Sequence, residues 1–421
     1  MGPKIRAAMA ALLASAALGA GLRGAAAEPV TLHFWAAWDS GQPETVEARK
    51  QIALFEHDHP DIKIDVQTIA FQALHDKLVT SISGGDAPDV SWGLVEWLGE
   101  LNGMGALEDL TSRVAAWPDR SAIFPQALAA LSVDGHVMAL PHYLGLRALL
   151  YHKSLLKAAG VAAPPATWGD LLAASAKIKA ATGKPGFGIA ATGVRCPQEL
   201  LTFLAQNDVT LADKTPDGKY RNTWSERPDV MKRATEVFDF YHDLARQGAI
   251  APDAKAWGWE EEDTNFALGR YAMVVDGAWM RGRVAQNPDT MGDIGVAPPP
   301  YKLKPATFFE VNPFFVFKGK HPDAAWEFAS FMLGHGFQAA VHPDSSPRRD
   351  VVGDATWGKG FSDLTPTGVS YPPVALGALT RAMEEAVGRV MLKNEGSAEV
   401  AAWLAKSINR ALKQSGELGA E

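Results

Sequence analysis

The chain has 421 residues, 13 tryptophans, a single cysteine and a net charge of −8. One cysteine rules out intrachain disulfides and cysteine-based zinc sites, and an acidic balance argues against binding a phosphate backbone, which needs clustered Lys and Arg. The length suits two domains or one large one.

Residues 1–27 read as a secretory signal peptide: Lys4 and Arg6 lead into an apolar run that ends in small residues at Ala25, Ala26 and Ala27. Cleavage there leaves 394 residues and, because Lys4, Arg6 and Arg23 leave with no acid, a mature charge of −11. No later run of 18 apolar residues spans a membrane, and no cysteine follows the cleavage site to carry a lipid. The expected location is therefore the periplasm.

Val30, Leu32 and Phe34 alternate with polar residues as in a half-buried strand. A helix follows, with Ala48, Ile52 and Phe55 on one stripe and Glu44 and Glu47 in the first turn. Ile62, Ile64 and Val66 give a second strand, and Phe71, Leu74, Leu78 and Ile82 a second helix that stops at Gly84-Gly85. Val90-Ser91-Trp92 is a third short strand. Strands and helices alternating over short connections indicate an α/β domain with a largely parallel sheet. The middle of the chain repeats the style without repeating the sequence. Residues 146–151 read as a strand, Thr167 with Asp170 has capping-box form before a helix, and a further helix runs between Pro228 and Gly248. The proline run at Pro298-Pro299-Pro300 breaks this second lobe. Residues 314–317 read as a buried strand, 322–333 as a helix, and 371–412 as mostly helical.

Motif by motif, little points to catalysis. Gly19-Ala20-Gly21-Leu22-Arg23-Gly24 matches a dinucleotide-binding pattern but falls inside the signal peptide. No P-loop, nucleophile elbow or zinc-protease helix is present. His57 and His59 around Asp58 lack a further ligand nearby in sequence and read as a solvated helix end. Glu260-Glu261-Glu262-Asp263 reads as a solvated first turn, because adjacent helical positions cannot face each other across a scissile bond. No metal or cofactor is expected. The tryptophans say more. Trp35, Trp38, Trp92, Trp257, Trp259 and Trp279 fall where strands end or loops begin, and rigid aromatic faces cover the apolar face of a pyranose well. Trp326 and Trp403 lie in amphipathic helices and are assigned to packing.

The ordered series Trp35-Ala36-Ala37-Trp38-Asp39, residues 55–64, and Gly84-Gly85-Asp86-Ala87-Pro88-Asp89-Val90 resembles the N-terminal lobe of extracellular solute-binding proteins of the carbohydrate class, the family of maltose-binding protein. Residues 133–141, 148–153, 165–168, 266–279, 294–298 and 324–328 are similar to later family motifs in the right order. The resemblance implies a periplasmic binding protein type II-like α/β fold, with two lobes joined by a multi-strand hinge. It places the N-lobe at 28–141 with 303–333, the C-lobe at 146–300 with 336–421, and the crossings near 141–146, 298–304 and 334–337. It also implies a catalytically inert protein that delivers a carbohydrate to an ABC permease in the inner membrane; a monomer is expected, and the acidic balance argues against a nucleic-acid partner. Carried over residue by residue, the ligand contacts are Trp38, Asp39, Trp92 and Trp279, then Arg195, Glu310 and Asn312, with Trp257 among the loop tryptophans. Arg348 falls in a loop that resembles one stabilising the second lobe and is a further candidate. Gly145 stands where the family pattern has an acid. Two other readings stay open: the same fold binding a polyamine or a sugar phosphate, and a periplasmic enzyme acting on glycans.

Overall fold

The computed structural model describes residues 29–38 and 42–420, so the expected signal peptide and Asp39 lie outside the described residues. The elements that position the cleft are, in chain order, β1 (Val30–Ala36), α1 (Pro43–Asp58), β2 (Ile62–Thr68), α2 (Phe71–Gly84), β3 (Val90–Trp92), β4 (Leu140–His152), α3 (Trp168–Thr182) and α4 (Arg195–Gln206). They continue with α5 (Pro228–Arg246), α6 (Trp259–Ala267), β5 (Met273–Gly277), β6 (Ile294–Ala297), β7 (Thr307–Val316), α7 (Pro322–Met332), α8 (His335–Val341), β8 (Gly368–Val369), α9 (Gly377–Met391) and α10 (Ser397–Gln414).

Local chemistry explains most boundaries. α1 buries Ala48, Ile52 and Phe55, and α2 ends because Gly85 takes the left-handed conformation that lets the last carbonyls be capped. Thr167 and Asp170 close a full capping box at the start of α3. α5 buries Val230, Ala234, Val237, Tyr241 and Leu244 as one stripe.

Two long antiparallel strands, β4 and β7, run through both lobes and carry the hinge. In the first lobe the order is β2-β1-β3-β7-β4: β2 and β3 flank β1 in parallel, and Phe314 to Val316 of β7 pair antiparallel with Trp92 to Val90. Beyond Leu146, β4 enters the second lobe, where β5 and β6 pair with it on either side, both antiparallel. The other end of β7 pairs with β8 there. A register irregularity lies between Asn312 and Pro313, at the level where β7 passes from one lobe to the other.

Two expected crossings therefore move. Residues 298–304 rest on the second lobe: Tyr301 bridges to Thr167, and the Leu303 and Lys304 N–H groups donate to the Gln206 carbonyl. The second crossing is inside β7, and 303–308 belongs with the second lobe. The last return also comes later than 334–337. α8 packs on α1, the Leu144 N–H donates to the Ser345 carbonyl, and Arg349 donates to the Ala122 carbonyl, which keeps the chain in the first lobe through Arg349. It has reached the second lobe by Gly360, which stands against Val296. α9 and α10 then pack on α4 and α5.

Candidate functional site

The cleft is built where β4 and β7 cross between lobes. On β4, Gly145 lies directly opposite Glu310 of β7. A Cβ on Gly145 would stand 3.0 Å from the Glu310 carboxylate, so the glycine makes room for that side chain. An acid thus stands opposite position 145, on the facing strand. Glu310 Oε2 accepts from Arg147 Nη2 at 2.6 Å, and its other oxygen accepts from Asn312 Nδ2 at 3.2 Å. Arg147 also donates to the Gly145 carbonyl at 3.2 Å and to Gln198 Oε1 at 2.7 Å. Gln198, on α4 of the second lobe, donates in turn to Glu96 Oε1 of the first lobe at 2.7 Å. A continuous polar chain from Glu96 to Asn312 therefore ties both lobes to the hinge strands. Burial, then the nearby Glu310 charge, pushes the Glu96 carboxyl up to about 7.

Below this chain sits Trp279. Its ring folds back over Gly277, where a Cβ would come within 1.8 Å of it, so only glycine fits at the end of β5. The Arg147 guanidinium lies 4.3 Å from the Trp279 ring centroid and that of Arg195 5.4 Å, and the indole N–H donates to Asp263 at 3.3 Å. Trp279 is therefore a support for two arginines rather than a bare platform.

Arg195 opens α4 and is buried among Glu262 at 2.8 Å, Asp276 at 3.4 Å, and Asp263. Burial alone would lower its pKa, but these carboxylates hold it well above the usual arginine value. Burial pushes Glu262 and Asp276 up, and Glu199, which neighbours Glu262, up as well. The reading of 260–263 as a solvated turn is corrected here. Glu260 is exposed and Glu261 caps the Gly258 N–H, but Glu262 and Asp263 are buried because Arg195 supplies their counter-charge.

The first-lobe wall is aromatic. Trp92 lies 5.7 Å from Phe71 and 6.2 Å from Trp97, all edge-on, and Phe71 lies 6.4 Å from Trp259 of the second lobe. Gln72 donates to Glu260 beside that contact at 3.4 Å. Trp38 packs edge-on to Phe34, next to the undescribed 39–41. Tyr371 is buried against Phe308 with its hydroxyl unpartnered.

Of the residues expected from sequence, Trp279, Arg195, Glu310 and Asn312 meet in one cluster, and Trp92 stands at the end of β3 in the first lobe beside Phe71 and Trp97. Trp257 does not join them. It is buried beside Tyr271, and its carbonyl accepts from Ala191 and Thr192 in the second-lobe core. Arg348 is likewise corrected: its donors go to Asp119, Asp350 and the Leu333 carbonyl, so its loop braces the first lobe, not the second. Sequence reading missed Glu96, Phe71 and Tyr371 as cleft residues. Only position marked them: Glu96 follows the third strand by a few residues, where loops at strand ends line clefts.

A family model described as bacterial extracellular solute-binding protein matches residues 38–339. The chain belongs to this family. Among its relatives is a maltotriose-binding protein of Pyrococcus abyssi, 26% identical over 305 residues that cover 70% of this chain and 61% of that one. The fold matches the GacH receptor of Streptomyces glaucescens with a TM-score of 0.77 at 24% identity, covering 91% of this chain and 98% of that one. It matches a solute-binding protein of Thermotoga lettingae, solved with alpha-D-tagatose, equally well at 25% identity, covering 91% and 99%. This chain therefore carries the two-lobe architecture of an extracellular solute-binding protein. Among the described residues no helix is long and apolar enough to cross a membrane.

Proposed function

We propose that this protein captures a neutral sugar, or a closely related polyol, between its lobes and hands it to an ABC permease of the inner membrane, working as a soluble periplasmic monomer without catalysis. The observation that carries the reading is the composition of the facing walls: Phe71, Trp92 and Trp259 offer ring surface from opposite lobes, and Glu96, Gln198, Glu310 and Asn312 offer polar groups between them. Aromatic faces with a few placed polar groups suit a pyranose better than a charged solute. The arginines support neutrality. Arg147, Arg195 and Arg348 are each paired with carboxylates, which favours a sugar over a sugar phosphate needing free guanidinium groups. Relatives named for maltotriose and for mannitol, and the structure holding tagatose, favour the same class. Asp39, which follows β1, is assigned a hydroxyl contact by the resemblance alone.

Solute binding both lobes would select the closed arrangement, with β4 and β7 flexing at Gly145 and Asn312. A native mass spectrum of the purified protein tests the reading. Adducts of hexose or polyol mass are expected. Adducts of a polyamine or a phosphate ester, or a glycan-hydrolysing activity lost in Glu310→Gln, would overturn it.

A further inference from the structure

The Glu96 carboxyl reaches across the cleft to complete the polar chain. Its hydrogen-bond donor Gln198, and Arg147 beyond it, stand on the second lobe or at the hinge, and its Oε2 is buried without a hydrogen-bond partner. Separating the lobes would return this carboxyl to water. Bringing them together carries it into a pocket that already holds Glu310, whose one cation, Arg147, is also shared with Gln198 and the Gly145 carbonyl. A carboxylate moved from water to a site with a like charge and no cation of its own is favoured as the neutral acid. We propose that Glu96 takes up one proton from solvent as the lobes close, so that closure of the solute cleft is coupled to pH.

The groups facing Glu96 from each packed element agree. From β7 comes Glu310, repulsive; from β4, Arg147, attractive but engaged; from α4, Gln198, a neutral donor to Oε1; and from the 371–376 segment, the Tyr371 hydroxyl, which burial holds in its neutral form. The Gln198 contact survives protonation, because the neutral acid still accepts at Oε1. The proton on Oε2 then makes Glu96 a donor as well as an acceptor, matched to a hydroxyl rather than to a cation. The carboxyl titrates near 7 when enclosed, against an ordinary glutamic acid value when open. Linkage makes the closed state favoured at low pH, with the advantage lost as pH rises through the enclosed value: the closing constant falls roughly tenfold between pH 6 and 8 and little beyond.

The inference builds on the inter-lobe contacts, and its test uses the protein without added solute, so a sugar panel that finds no binder would count against the proposed ligand and leave this result standing. The radius of gyration from small-angle scattering is measured from pH 5.5 to 8.5 for the wild type, Glu96→Gln and Glu96→Ala, with circular dichroism to confirm folding. The wild type is expected to expand as pH rises. Glu96→Gln, which keeps the contact and loses the proton, should stay pH-independent, and Glu96→Ala, which loses both, should be extended throughout. A wild type whose radius ignores pH, or a Glu96→Gln protein that expands as the wild type does, overturns the proposal.

Discussion

Replacing Arg195 with leucine removes the cation that pairs with a buried group of acids. Arg195 is 5% exposed, and Glu262 and Asp276 beside it are fully buried. Among the described residues none of these carboxylates has another cation within ion-pair distance, so the substitution leaves uncompensated buried charge rather than an exposed gap. Breaking a buried pair by removing one partner typically costs about 3–5 kcal/mol. The sign of the pH dependence follows from the same geometry. Glu262, Asp276 and Glu199 already titrate above their ordinary values, so the fold binds more protons than the unfolded chain, and their contribution is lost as pH rises through the folded values. Without Arg195 those values climb further, so the variant should be weakest at alkaline pH and partly recover near pH 5. Equilibrium urea unfolding of both proteins at pH 5 and pH 8 measures this. A loss below about 1 kcal/mol at pH 8, the range of an exposed pair, would refute the view that Arg195 holds the cluster together.

Gly145→Ala places a methyl group against the Glu310 carboxylate, and solute affinity should fall several-fold in a calorimetric titration with little change in far-UV dichroism. Gly99→Val should hold the lobes apart, because a Cβ there meets the Val374 carbonyl of the second lobe at 2.5 Å; a variant whose radius of gyration with saturating solute is as small as that of the wild type would count against this. His142 and His342 meet at 3.2 Å beside the hinge, and burial holds His142 well below the ordinary histidine value and His342 down at about 3. Both are neutral in the fold and charged in the unfolded chain below about 6.5, so stability is full above that pH and should fall by up to ~1.4 kcal/mol per pH unit for each group as pH drops. His342→Asn should flatten that acid limb in thermal melts, and an identical slope would contradict it.

The strands and helices were legible because their apolar spacing is local: Ala48, Ile52 and Phe55 mark one helical face whatever the rest of the chain does. The site was legible in part. Trp279 and Arg195 stand near motifs of recognisable order, but the partners that decide their roles are distant in sequence. Glu262 meets Arg195 from 67 residues downstream, and this turned an apparently solvated turn into a buried ion cluster. Glu310 reaches Arg147 across 163 residues. The crossing inside β7 was hidden for a different reason: all ten of its residues are buried, so no change in pattern marks where it leaves one lobe for the other. α8 was assigned to the wrong lobe because nothing in its own sequence shows that α1 offers the surface it covers.

Binding of a neutral sugar between the lobes is the proposed function. It is tested most directly by calorimetric titration of a panel of mono- and oligosaccharides and polyols, with a polyamine and a sugar phosphate beside them, into the wild type and Trp259→Ala. One neutral sugar or polyol is expected to bind with one-to-one stoichiometry, and loss of the Trp259 ring to weaken it at least tenfold, about 1.4 kcal/mol. Binding of only the polyamine or the phosphate, or a neutral sugar whose affinity ignores Trp259→Ala, would contradict the account.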